Sequence, residues 1–208
     1  MVPNLAAVLR LMLVTDDALL NDRDLVAICE AAVRGGVTSV ELRLKRAAPR
    51  ELLARARELV AALAVPVLVN DRLDVALAAG AAGVHLGADD LPVRLARRAA
   101  PEGFLIGASV GTAQELRGGS GADYWGVGPW RATATKGDAG AAIGPAGFGA
   151  IVAAAAGIPC VAIGGLQPED VAAVRHAGGI GIAVASGILA AKDIAAAASR
   201  YARAESER

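Results

Sequence analysis

Between Val67 and Leu86 the chain reads Val67-Leu68-Val69-Asn70-Asp71, then Leu73-Asp74-Val75-Ala76-Leu77-Ala78-Ala79, then Gly83-Val84-His85-Leu86. The first segment is a short apolar run closed by an amide and a carboxylate. The second is rich in Ala and Leu at helical spacing, and the third is again short and apolar. Strand, helix and strand in this order make a parallel unit with its helix outside the sheet.

The same alternation extends in both directions. Candidate strands are Leu11–Thr15, Ser39–Leu44, Val67–Asn70, Gly83–Leu86, Leu105–Ser109, Tyr124–Val127, Cys160–Ile163 and Gly181–Ala185. Candidate helices are Asp22–Arg34, Pro49–Leu63, Leu73–Ala79, Leu91–Ala99, Ala113–Leu116, Gly147–Ala156, Pro168–His176 and Lys192–Ala204. Units recurring about every 25 residues from end to end predict an α/β fold, a single (β/α)8 TIM barrel over 1–208. A doubly wound open sheet is the runner-up, but no early GxGxxG follows a strand. The polar residues that interrupt the apolar runs fall at strand C-terminal ends, where barrel active sites are built. The long irregular stretch from Gly128 to Gly144 reads as a functional or mobile loop.

Composition narrows the function. The 208 residues are 55% hydrophobic and only 3% aromatic, so the core is built from Ala, Val, Leu and Ile. Lys plus Arg (21) balances Asp plus Glu (21), which gives no electrostatic reason to expect nucleic acid or a membrane surface as partner. The longest apolar candidate, from Ala150 to Ile163, is broken by Gly157 and Pro159 and is too short to span a bilayer. The start, Met1-Val2-Pro3-Asn4-Leu5, does not read as a signal peptide. Cys29 and Cys160 are expected to be buried thiols, and the protein is expected to be cytoplasmic. The sequence leaves a homo-oligomer open.

Chemistry-bearing residues cluster at the expected strand ends. In Glu41-Leu42-Arg43-Leu44-Lys45, strand alternation puts the three charged residues on one face and the leucines on the other. Inward-facing charges at a barrel mouth call for a partner, and an anionic ligand would supply one; solvated charges at a frayed strand end are the structural alternative. Asp71 and Asp90 end adjacent strands and could together hold Mg2+, which binds through one or two carboxylates, waters and phosphate oxygens. Asp90, or Asp89 beside it, could equally cap the following helix. His85 on an apolar strand reads as a hydrogen-bonded core histidine. Ser109 could donate to a phosphate or cap a turn. Thr133, Thr135 and Lys136 in the long loop suit phosphate contacts, with an ordinary polar surface loop as the structural alternative. Gly164-Gly165 and Ala185-Ser186, after the seventh and eighth strands, occupy the usual barrel phosphate position, with a short helix starting near Ser186.

Together these motifs resemble the thiamine phosphate synthase family over nearly the whole chain. They are Thr15-Asp16, Glu41-x-Arg43-x-Lys45, Val69-Asn70-Asp71, Gly83-x-His85-x-Gly87-Ala88-x-Asp90, Gly107-x-Ser109, Gly126-x-Gly128-Pro129 through Thr133-x-Thr135-Lys136, Ile163-Gly164-Gly165-Leu166 and Ala185-Ser186. The resemblance implies a transferase that joins hydroxymethylpyrimidine diphosphate to a thiazole phosphate, carboxylated or not, releasing pyrophosphate. It implies that Arg43, Lys45, Asn70 and Lys136 grip the diphosphate, Mg2+ sits on Asp71 and Asp90, and Ser109 bonds the leaving group. Thr133, Thr135, the Gly165 backbone and the Ala185–Ser186 turn would hold the thiazole phosphate. Three positions depart from the family pattern: Glu41 and Ala88 each stand where Gln is usual, and Leu11-Met12 replaces an aromatic. A tautomerase-like paralogue and a non-catalytic binder of thiamine precursors are the alternatives.

Overall fold

The computed structural model describes residues 4–21, 23–112, 115–132 and 140–206. Eight parallel strands close into a barrel in sequential order: β1 (Leu11–Val14), β2 (Ser39–Leu42), β3 (Val67–Asn70), β4 (Gly83–Leu86), β5 (Leu105–Val110), β6 (Tyr124–Val127), β7 (Cys160–Ile163) and β8 (Gly181–Val184). Closure is made where Leu11, Met12 and Leu13 pair with Ile182, Ala183 and Val184. The expected (β/α)8 barrel is therefore the fold.

The helices are α1 (Leu5–Leu9), α2 (Asp17–Leu20), α3 (Leu25–Arg34), α4 (Pro49–Ala62), α5 (Leu73–Ala79), α6 (Val93–Ala99), α7 (Gly144–Ala154), α8 (Val171–His176), α9 (Ser186–Leu189) and α10 (Ile194–Ser206). Local chemistry sets their ends. Asp24 caps α3 by accepting from the Val26 and Ala27 N–H groups, and the helix buries Leu25, Ile28, Cys29 and Ala32 at helical spacing. Each large apolar side chain so buried contributes about 1.5–3 kcal/mol. Pro49 opens α4, and Gly80, in the left-handed region at φ 69°, ends α5.

One expected helix is corrected and one helix is added. No helix is seen in the described residues between β5 and β6; residues 115–121 are turns, and the expected Ala113–Leu116 lies partly outside the described residues. Glycines at 118, 119 and 121 make propagation there unfavourable. Helix α1 was not anticipated. It plugs the N-terminal end of the barrel, where Val8 and Leu9 join the interior cluster and the Thr38 and Ser39 hydroxyls donate to the Val8 carbonyl at 2.9 and 2.8 Å.

Alternation divides each strand. Leu13, Val40, Leu42, Val69, Val84, Ile106, Val127 and Ala162 pack outward against helices. Met12, Val14, Leu68, Leu105, Tyr124, Val161 and Ala183 fill the interior. At the next inward level, towards the strand C-termini, polar side chains replace the aliphatic ones, and this change positions the site. No helix among the described residues is long and apolar enough to cross a membrane.

Candidate active site at the barrel mouth

Strand β2 stops at Leu42, two residues before its expected end, so Arg43 and Lys45 lie beyond the strand. The end of β1 fixes their backbone. Thr15 Oγ1 accepts from the Arg43 N–H at 2.8 Å and donates to the Arg43 carbonyl at 3.2 Å, and Asp17 Oδ2 accepts from the Lys45 N–H at 2.8 Å.

Both cations have partners within the protein, in addition to any anionic ligand. Arg43 Nη1 lies 2.9 Å from Asp16 Oδ2. The other Asp16 oxygen caps α2, accepting from Ala18 N–H at 3.0 Å and Leu19 N–H at 3.2 Å. Lys45 Nζ lies 2.5 Å from Asp71 Oδ2. Sequence reasoning missed Asp16 as the partner of Arg43. A strand ending Thr15-Asp16 before a short helix carried the capping signal but not the cross-strand pairing.

Asp71 and Asp90 do come together, with carboxyls within hydrogen-bonding reach of each other. Asp71 has φ 64°, an αL conformation that Asp tolerates better than most residues and that concentrates at functional sites. Asp90 turns back to accept from the Gly87 N–H at 2.7 Å. Helix α6 starts at Val93 with no side-chain cap, which removes the capping alternative for both Asp89 and Asp90. The electrostatics divide the pair. Burial opposes ionisation of Asp71, but the hydrogen bond with Asp90 and the nearby Lys45 and Arg43 cations outweigh it, and its carboxyl is held below the usual range. Burial, followed by the hydrogen bond with Asp71, raises Asp90. Two hard carboxyl groups in the turns that follow β3 and β4, of which Asp71 holds its charge and raises Asp90, have the donor chemistry of a Mg2+ site.

Below the mouth, Glu41 is only 4% exposed, and no side-chain hydrogen bond reaches it from the described residues. His85 is buried as expected, with Nδ1 3.0 Å from the Tyr124 hydroxyl and Nε2 3.0 Å from Ser109 Oγ. Ser109 thus reaches the interior face rather than only a turn. Gly107 and Gly126 leave room for these rings: a Cβ on Gly107 would lie 2.3 Å from Tyr124 Cζ, and one on Gly126 2.9 Å from His85 Cε1. Tyr124 was another miss, although the spacing of Tyr124, Gly126 and Gly128 puts all three on the inward face.

Asn70 ends β3 on that face, paired in register with His85. On the far side, Gly164 and Gly165 have φ of 97° and 66° and lie against Pro129, Arg131 and Ala132 of the loop after β6. That loop is tied at its base. The Trp130 N–H donates to the Ile163 carbonyl, and Arg131 forms a two-point ion pair with the buried Asp170, its Nε donating at 3.0 Å. Its returning end donates from Ile143 N–H to the Pro129 carbonyl at 2.9 Å. Thr133, Thr135 and Lys136 lie outside the described residues. Helix α9 begins at Ser186 directly after β8, so Ala185 and Ser186 stand at the same end of the barrel as the rest.

A closed parallel barrel that gathers paired carboxylates, guarded cations and glycine turns at its C-terminal end has the architecture of a TIM-barrel enzyme. Comparison with known proteins makes this specific. The family model described as thiamine monophosphate synthase matches residues 11–188. A thiamine-phosphate synthase of Azorhizobium caulinodans is 48% identical over 195 residues, covering 91% of this chain and 92% of its own. One of Xanthobacter autotrophicus is 50% identical over 190 residues, covering 89% and 90%. The structure of thiamine phosphate pyrophosphorylase from Pyrococcus furiosus superposes with a TM-score of 0.85 at 35% identity, covering 98% of each chain. The chain belongs to the thiamine monophosphate synthase family, and its activity class is that of a transferase.

Proposed function

We propose that this enzyme condenses hydroxymethylpyrimidine diphosphate with a thiazole phosphate, carboxylated or not, to give thiamine phosphate and pyrophosphate. The observation that carries the reading is the pairing of Asp71 with Asp90 beside Lys45, at the mouth of the barrel that also presents Arg43, Asn70 and Ser109. Such a set suits the departure of an anionic leaving group. The C–O bond to the diphosphate breaks first, and the pyrimidine-methyl cation left behind is captured by the thiazole nitrogen. No protein nucleophile is required; orientation and charge stabilisation supply the rate.

Arg43, Lys45 and Asn70 bind the diphosphate from one side, with Lys136 reaching it from the loop. Asp16 and Asp71 keep the first two cations in place before substrate arrives. Ser109 donates to the departing oxygens. Asp71 and Asp90 would hold Mg2+, which when bound neutralises charge growing on the leaving group. Thr133, Thr135, the Gly165 backbone and the Ala185–Ser186 turn hold the thiazole phosphate, placing its nitrogen toward the reacting carbon. Glu41 lies at the pyrimidine end and can accept from an amino group.

The decisive assay incubates the protein with both substrates, with and without Mg2+, and detects thiamine phosphate by mass. Mg2+-dependent product formation supports the proposal. Isomerisation of the thiazole alone without metal would replace it with the tautomerase reading, and binding without conversion would replace it with the precursor-binding reading.

A further inference from the structure

Tyr124, His85 and Ser109 form a hydrogen-bonded column from the barrel interior to its mouth, with both links at 3.0 Å. Tyr124 is 1% exposed, and among the described residues its hydroxyl hydrogen-bonds to His85 alone. Burial, together with the Glu41 and Asp123 charges, pushes the phenol well above its usual range, so it keeps its proton. Were the imidazole proton on Nδ1, the phenol hydrogen would point into the barrel interior with no acceptor among the described residues, an arrangement buried polar groups avoid. The reverse arrangement satisfies every group in the column.

We propose that Tyr124 is a positioning residue whose hydroxyl donates to His85 Nδ1 and fixes the imidazole as the Nε2–H tautomer. Nε2–H then donates to Ser109 Oγ. One Ser109 lone pair is thereby occupied, and its own hydrogen, which cannot point at Nε2–H, is turned to the mouth as a donor. No proton is transferred along the column; its effect is orientation. That this donor meets an oxygen of the leaving diphosphate rests on the function proposed above, whereas the tautomer does not.

The test is nitrogen NMR on protein labelled with 15N-histidine, with His85 assigned against a His176→Gln variant. The expected spectrum shows His85 protonated on Nε2 and bare on Nδ1, and Tyr124→Phe, which keeps the ring, should move the population toward a mixture. A wild-type His85 protonated on Nδ1 would overturn the proposal. In turnover, Tyr124→Phe should lower kcat about tenfold with KM for both substrates within about twofold, a share of what loss of an oriented donor costs. Ser109→Ala should lose at least as much, and the double variant no more than Ser109→Ala alone. Losses that multiply in the double variant would show that Tyr124 acts independently of Ser109 and defeat the idea. Should the protein form no thiamine phosphate, the nitrogen spectrum of the unaltered chain still decides the tautomer.

Discussion

Lys45 Nζ and Asp71 Oδ2 lie 2.5 Å apart, joining the segment after β2 to the end of β3 in a contact that also faces Asp90. Asp71 is thus engaged twice, by an ammonium and by a second carboxyl, and the proposed Mg2+ would be a third partner. Its left-handed backbone conformation brings the carboxylate to that crossing at a strain of about 1–2 kcal/mol.

Replacement of Asp71 by Asn should therefore separate metal from structure. The expected outcome is a Mg2+ requirement for pyrophosphate release raised roughly tenfold or more, as for loss of an electrostatic group at a reacting centre. A magnesium titration of initial rates checks this. Unchanged activity at limiting Mg2+ would remove the metal role.

The opposed shifts of the aspartate pair give a pH dependence with a defined sign. Asp90 is raised by burial and by Asp71, so the folded protein takes up its proton before the unfolded chain does. Stability contributed there grows as pH falls toward the ordinary Asp range near about 4. Asp71 is lowered, so its contribution is present above that range and is lost as pH falls through its folded value. A proton on Asp90 also competes with a cation. Thermal melts with and without Mg2+ should show a stabilisation by Mg2+ at pH 8 that shrinks toward pH 5. In Asp90→Asn the metal-free protein should melt at the same temperature or about 2 °C higher, because a like charge is gone, and Mg2+ should add little at either pH.

The periodicity of the chain carried the barrel well, because the strands are short apolar runs buried almost throughout and the longer helices α3, α4 and α10 each show one apolar face. What alternation cannot encode is contact across the mouth. Asp16 pairs with Arg43 only because the β1 and β2 ends are neighbours, with Thr15 clamping the Arg43 backbone. Tyr124 meets His85 only because Gly107, between them in register, has no side chain. Helix α1 escaped notice because so short a segment has no stable helical preference of its own; it is held by the barrel end it fills.

Gly107→Ala tests that packing. The added methyl would meet both Tyr124 Cζ at 2.3 Å and His85 Nδ1 at 2.5 Å, and neither ring is a free flexible end. Overpacking of this kind costs about 1–3 kcal/mol. The melting temperature should fall by roughly 3–10 °C. A drop smaller than that in calorimetry would mean that the column yields more easily than its burial suggests.

Lys136 is expected to act on the leaving group from the loop after β6. Lys136→Ala should lower kcat by roughly tenfold or more. Steady-state kinetics with each substrate varied distinguishes this from a change confined to KM, which would indicate uniform binding.

Glu41 offers the sharpest prediction about substrate. The residue is 4% exposed on the inward face and lies close enough to Tyr124 to raise the phenol, yet no described residue donates a hydrogen bond to its carboxylate. An acceptor on the inward face with no donor among the described residues suits a substrate amino group. An amide retains the acceptor oxygen and adds an N–H that can meet a ring nitrogen. Glu41→Gln should accordingly preserve or improve kcat/KM for the pyrimidine diphosphate, and a substitution of equal size should leave the melting temperature within about 2 °C. Varying the pyrimidine substrate at saturating thiazole phosphate measures the first, and calorimetry the second. Complete loss of turnover with an intact fold would assign the carboxylate a proton-transfer duty instead of recognition.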